Sequence, residues 1–348
     1  LTTTQFTEIE YCFQATSKAT PGATYYFRLT DDGTELNNYP QYGQVTLNGG
    51  GSWFNSNWLY RKHLRIDSSR VAGNLANFPV LINSTDLDWQ DSGNSGHVAQ
   101  ADGGDIMFTA GDGVTKLDHE IESYNETTGE LVAWVEVPNL SGSADTGLYI
   151  YYGNTTLAAG DNQWNVNGTW DEDGSENYKA VWHLHESSGT QIGDSTSYGN
   201  TGTKLSATEP NPAAGQLAGA QYFDGTNDFI TINNSSGVGH VLDFTAGPFT
   251  LSAWFNTQAQ NRHIVGKRAG VPDQYQFGVG AADPPNVFFG DSDEEGWGST
   301  GLRYDGTTWY YGTVVVDASG NPELYVNGAQ ETWNGDARPF TFTHEDVD

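Results

Sequence analysis

Polar and apolar residues alternate along short segments of this chain, and turn residues separate the segments. Residues 58–66 alternate around aromatic side chains, and further strand-like segments follow at residues 77–82, 102–109, 117–124, 131–138 and 147–154. A period of two is typical of half-buried strands, and Pro79 suits the first position of a strand. The pattern and its spacing predict an all-β fold built from antiparallel β-sandwiches.

The first fifty residues contain three more strand candidates, at residues 7–15, 23–29 and 42–47. An Asp-Asp-Gly sequence at residues 31–33 marks a turn between two of them. The aromatic segment 23–29 resembles the late strands of a fibronectin- or immunoglobulin-like sandwich, so residues 1–50 are predicted to be part of such a domain. Residues 48–52 are predicted to form a flexible linker.

The segments between residues 58 and 154 resemble the domain of unknown function DUF2341 in their order and in their amino-acid sequence. That domain occurs in large cell-surface proteins of bacteria and archaea. Later segments resemble the LamG-like, concanavalin A-like jelly roll that commonly follows that domain; they are residues 181–184, 194–200, 220–230, 249–255 and 323–328. The two resemblances imply a DUF2341-like module at 53–160, a connector at 158–177 and a LamG-like jelly roll at 178–348. They also imply an extracellular location at the cell surface.

The charge of the chain restricts its partners. The 348 residues include 44 acidic and 14 basic ones, a formal net charge of −30. A surface this acidic repels nucleic acid and anionic lipid, so neither is expected as a partner. No apolar run reaches the length of about 18 residues that a membrane span needs, so direct membrane insertion is not expected. Cys12 is the single cysteine, which excludes an intrachain disulfide.

Two polar turns of the predicted jelly roll are candidate metal ligands. Asp194 and Asn200 flank the first turn, and Asp224 opens the second. In LamG-like domains the corresponding loops often hold one calcium ion at the rim of the sandwich, and oxygen ligands are what calcium prefers. The resemblance therefore implies calcium as a cofactor, held by Asp194, Asn200 and Asp224. In the alternative, these side chains only cap turns through hydrogen bonds to the backbone.

Two further polar clusters are weaker metal candidates. Residues 291–296 imitate the first half of an EF-hand loop, but Leu302 stands where that loop requires a glutamate, so a solvated acidic loop is expected. His183 and His185 lie on one face of a predicted strand and could begin a metal site. No third ligand is recognisable, so packing near Trp182 is expected instead.

Catalysis is predicted to be absent. Glu120 and Glu122 are the acids that most resemble the close carboxylate pair of a retaining glycosidase. The next acid, Glu126, lies six residues after the first, and the segment falls outside the predicted jelly roll. No zinc-protease, nucleophile-elbow or phosphate-loop sequence occurs. We therefore expect a protein that is not an enzyme.

The tryptophans of the predicted jelly roll are candidate carbohydrate contacts, because indole faces stack on the CH surfaces of sugars. Trp254 lies between Ala253 and Phe255 in the middle of a strand and is expected in the core. Trp297 lies between glycines in an acidic loop. It is expected to be exposed and is the candidate contact with a glycan.

Three functions remain open from the sequence. The first is a non-enzymatic adhesive or structural module at the cell surface, the second is a lectin-like module of a larger glycan-degrading protein, and the third is a hydrolase. Both ends also look incomplete, with residues 340–343 strand-like but without a clear partner. A strand donated by a second copy would complete residues 1–50 and build a filament. In the alternative, further strands of a longer chain complete both sandwiches.

Overall fold

The computed structural model describes most of the chain from residue 52 onward. The described residues are 24–28, 42–46, 52–171, 178–207, 209–232, 241–242, 244, 248–267, 275–280, 286–290, 295–299, 302, 305–335 and 340. Of residues 24–28, 42–46, 171, 295, 297 and 299 only the backbone is described. The chain divides into two compact units, Leu1–Tyr178 and Lys179–Asp348.

The first unit confirms the all-β prediction. Its elements are β1 (Thr24–Arg28), β2 (Tyr42–Thr46), β3 (Tyr60–Ile66), β4 (Leu75–Thr85), β5 (Met107–Ala110), β6 (Lys116–Leu117), β7 (His119–Asn125), β8 (Glu130–Leu140), β9 (Thr146–Tyr152) and the helix α1 (Val166–Asp171). The strands β1 and β2 pair antiparallel. The candidate strand at 7–15 lies outside the described residues, so completion of this sandwich by a second copy stays a prediction.

Two antiparallel sheets form the body of the first unit, in the orders β3-β9-β5-β6 and β4-β8-β7. Their apolar side chains share one core, in which Phe108 and Ile150 come from the first sheet and Val135 comes from the second. Asp105 is fully buried beside this core. Its carboxylate accepts hydrogen bonds from the backbone N–H groups of Ala99, Gln100, Gly153 and Asn154 at 2.8 to 3.1 Å.

The predicted connector at 158–177 contains a packed helix among its described residues. Within its described residues, α1 contacts β7 and β8. Trp170 is 5 % exposed, and Asn165 N–H donates to the carbonyl of His119 at 3.0 Å. Burial of an indole against a sheet stabilises a helix too short to persist alone.

No helix among the described residues is long and apolar enough to cross a membrane.

The second unit also consists of antiparallel strands. They are β10 (Gln191–Ile192), β11 (Gly202–Lys204), β12 (Asn211–Ala214), β13 (Gly219–Tyr222), β14 (Ile230–Ile232), β15 (Phe249–Phe255), β16 (Arg262–Lys267), β17 (Tyr275–Val279), β18 (Asn286–Gly290), β19 (Glu295–Ser299), β20 (Tyr310–Val316), β21 (Pro322–Val326), β22 (Ala329–Gln330) and β23 (Trp333–Gly335). The larger sheets have the orders β15-β20-β21-β22 and β16-β17-β18-β19-β23.

The core of the second unit contains buried residues of both large sheets, among them Phe277, Phe289 and Val314. Phe340 packs into the same core, and its N–H donates to the carbonyl of Gly320 at 2.9 Å. The expectation that residues 340–343 lack a partner is therefore wrong for Phe340. Residues 341–343 lie outside the described residues.

Candidate functional site

Trp254 lies on the outer face of the sheet β15-β20-β21-β22, not in the core as expected. It is 42 % exposed, whereas its neighbour Phe255 is buried. Along β15, exposed and less exposed residues alternate, so that Trp254 shares the outward direction of Thr250 and Ser252. This alternation follows from the period of two of a strand. The solvent-facing indole is available to a ligand.

Tyr311 stands directly opposite Trp254 on the neighbouring strand β20. The two ring centroids are 5.2 Å apart and the rings are tilted by 42°. The Tyr311 hydroxyl donates to Oγ of Ser252 at 3.0 Å, and the residue is 37 % exposed. The hydrogen bond restricts the direction of the tyrosine ring beside the exposed indole, and we call Trp254 and Tyr311 the aromatic platform.

The platform forms one wall of an open groove with a volume of about 570 Å³. The lining residues combine aromatic rings with uncharged polar groups; they are Gln216, Trp254, Thr307, Trp309, Tyr311 and Asn327. Sugar-binding sites need apolar surface for the ring faces and a few hydrogen-bonding groups for the hydroxyls. We call these six residues the aromatic groove.

Two turns hold the rim of the aromatic groove in place. Asp305 accepts hydrogen bonds from the N–H groups of Thr307 and Thr308 at 2.8 and 2.7 Å, and these bonds lower the pKa of its carboxyl group. Asn327 adopts a φ of 51°, and its Oδ1 accepts from the N–H of Tyr311 at 2.9 Å. That bond leaves the two Nδ2 protons of Asn327 for a ligand oxygen.

The described contacts of the predicted calcium ligands are hydrogen bonds within and around their own turns, and one of them joins Asn200 to Asp194. Asp194 accepts four hydrogen bonds, from the N–H groups of Val181, Thr196 and Asn200 and from the Thr196 hydroxyl, at 2.7 to 3.0 Å. A carboxylate has about four acceptor positions, so these four bonds account for its capacity to accept hydrogen bonds. Asp224 bonds within its own turn, to the N–H of Thr226.

The side chain of Asn200 donates to the carbonyl of Lys179 at 2.7 Å. Among the described contacts of Asp224, none reaches Asp194 or Asn200. These hydrogen bonds are those that the alternative of turn capping expects, and calcium at these three residues stays a prediction. No group of three histidine, cysteine or acidic side chains that could hold a metal occurs within the described residues.

Two other candidate positions differ from expectation. The backbone of Trp297 lies in β19, between β18 and β23, rather than in an acidic loop; its side chain is not among the described parts. His183 and His185 are not in a strand, and their rings stack at 5.8 Å. Of the EF-hand-like segment, residues 291–294 lie outside the described residues, and Glu295 begins β19.

The two candidate catalytic acids of the first unit are both bonded to indoles. Oε2 of Glu120 accepts from Nε1 of Trp170 at 2.7 Å, and Oε2 of Glu122 accepts from Nε1 of Trp134 at 2.7 Å. Glu120 is 7 % exposed and Glu122 is 8 % exposed. This burial beneath indoles gives both acids a structural role in joining α1 and β8 to β7.

The fold and the aromatic groove define an all-β protein whose second unit fits a carbohydrate-binding or structural module. Comparison with known families agrees. Residues 102–185 match the family described as Domain of unknown function (DUF2341), and residues 224–346 match the Concanavalin A-like lectin/glucanases superfamily. The two matches confirm both resemblances and their order. Neither the comparison with curated proteins nor the comparison with solved structures found a match.

Among the residues of the aromatic groove, the sequence marks only the tryptophans as candidate carbohydrate contacts. The outward direction of Trp254 was visible in the alternation of β15, since Thr250 and Ser252 share its phase. The proximity of Tyr311 was not visible, because the pairing of β15 with β20 joins residues far apart in the chain.

Proposed function

We propose that this chain is a non-enzymatic, extracellular cell-surface protein that binds carbohydrate through the aromatic groove of its second unit. The observation that carries the proposal is the exposed pair of Trp254 and Tyr311, in which the tyrosine hydroxyl donates to Oγ of Ser252. Fixed aromatic side chains bind with little loss of conformational entropy. The match to the concanavalin A-like superfamily supports the same proposal.

Glycan-array binding by the whole chain tests this function. The wild type is expected to retain a defined set of glycans, and Trp254→Ala should weaken their binding at least about tenfold, which corresponds to about 1.4 kcal/mol. Tyr222→Ala is the matched control, because Tyr222 is 56 % exposed but does not line the groove. Absence of glycan binding by the wild type, or equal binding by Trp254→Ala, would contradict the proposal.

The absence of catalysis is part of the proposal. Its support is the engagement of Glu120 and Glu122 by indole N–H groups in the first unit. Incubation with β-glucans should yield no reducing sugar. Turnover by the wild type that Glu120→Gln abolishes would establish a hydrolase instead.

The surface location and the adhesive role are proposed from the charge of −30 and from the occurrence of DUF2341-like domains in surface proteins. Immunolabelling of intact cells of the source organism should detect the chain without permeabilisation. A signal that requires permeabilisation would place the protein inside the cell and overturn this part.

A further inference from the structure

The outer face of the sheet continues past the aromatic groove. Next to Trp254 and Tyr311, a second row crosses the sheet through Ser252, Thr313 and Tyr325, which are aligned by the pairing of β15, β20 and β21. The side chains of this row are uncharged and face away from the core. The surface beside the groove therefore has the same aromatic and hydroxyl character.

The width of this face exceeds that of a single sugar ring. Neighbouring strands lie about 4.8 Å apart, so β15 and β21 are separated by roughly 10 Å. Tyr325 adds an aromatic side chain at the far side of the face. Its hydroxyl donates to Oε2 of Glu323 at 2.7 Å, which fixes the direction of its ring.

The charges of the face exclude acidic ligands. The six groove residues carry no charge, and Glu323 is the one ionisable acid among the outward residues of β15, β20 and β21. None of these outward residues is basic, and carboxylate or sulfate groups are recognised through arginine and lysine. Residues 179–348 contain 20 acidic and 7 basic residues, which adds repulsion at longer range.

We infer that the site takes an uncharged polysaccharide chain, several sugar units long, which runs across β15, β20 and β21 from the aromatic groove to Tyr325. This inference rests on the proposed function. It adds to it the charge class of the glycan, the minimum length of the ligand and a second contact, Tyr325.

Calorimetric titration of the whole chain tests length and charge. The probes are neutral disaccharides and hexasaccharides of glucose, xylose and mannose, with heparin and polygalacturonate as acidic polymers and chitosan oligomers as cationic ones. We expect at least one neutral hexasaccharide to bind about tenfold more tightly than its disaccharide. Tyr325→Ala should reduce the affinity for that hexasaccharide more than the affinity for its disaccharide, whereas Tyr222→Ala should change neither.

Each other result overturns the inference in a different way. Equal affinity for the disaccharide and the hexasaccharide would show that the binding site does not extend beyond the aromatic groove. The proposed function would be unaffected. Salt-sensitive preference for heparin, polygalacturonate or chitosan would show that charge governs recognition. If no neutral glycan binds in the array or in the titration, the proposed function is overturned together with this inference.

Discussion

The indole Nε1 of Trp170 donates a buried hydrogen bond of 2.7 Å to Oε2 of Glu120, and so joins the helix α1 to the edge strand β7. The ring of Trp170 also lies 5.4 Å from the ring of Trp134, whose own Nε1 bonds to Glu122. A segment that looks like a polar connector in sequence is thereby part of the first unit.

Removal of the indole donor should destabilise the first unit. Trp170→Phe keeps an aromatic ring but takes a hydrogen bond from a buried carboxylate, which should lower the free energy of unfolding by about 1 to 3 kcal/mol. Denaturant unfolding measures the loss. Glu120→Gln retains an acceptor oxygen and should cost less; an unchanged stability of Trp170→Phe would show that the bond does not hold α1.

Replacement of Asp105 by asparagine is expected to destabilise the first unit. Asp105→Asn replaces one acceptor oxygen by an NH₂ group that faces backbone donors, so we expect a loss on the order of 3 kcal/mol. Asp102→Asn is the matched control, because the exposed Asp102 accepts from the N–H of Gly104 alone. Equal melting temperatures of the two variants would contradict the role assigned to Asp105.

The first unit should lose stability in mild acid because of His119. Burial lowers the pKa of His119 to about 4, below its ordinary value of 6.5. The unfolded chain therefore binds the proton more readily than the folded chain. The contribution of neutral His119 to the free energy of unfolding is fully present above about pH 6.5. It is lost as the pH decreases toward 4, by about 3 kcal/mol in total.

Hydrogen exchange of β7 at a series of pH values measures this effect. His119→Gln cannot titrate and should flatten the pH dependence between 4 and 6.5, at some cost in stability at neutral pH. A variant with the same dependence as the wild type would assign the effect to another group.

Calcium is expected not to stabilise the Asp194 turn, because hydrogen bonds occupy the acceptor positions of its carboxylate. Melting curves with EDTA and with added calcium should coincide. Asp194→Asn should cost about 2 kcal/mol through lost acceptors, and Asp224→Asn should cost less. A rise in melting temperature with calcium that Asp194→Asn removes would instead support the cofactor implied by the LamG-like resemblance.

The sequence by itself determined most strands of the first unit, the all-β class and the two family resemblances, because alternation and turn residues are local properties of the chain. Even the outward direction of Trp254 is contained in the phase of β15. Tertiary structure alone decided that Tyr311 lies beside Trp254 and that Trp170 reaches Glu120. Strand pairing and side-chain hydrogen bonds join residues distant along the chain, and a local period carries no information about which distant segments meet.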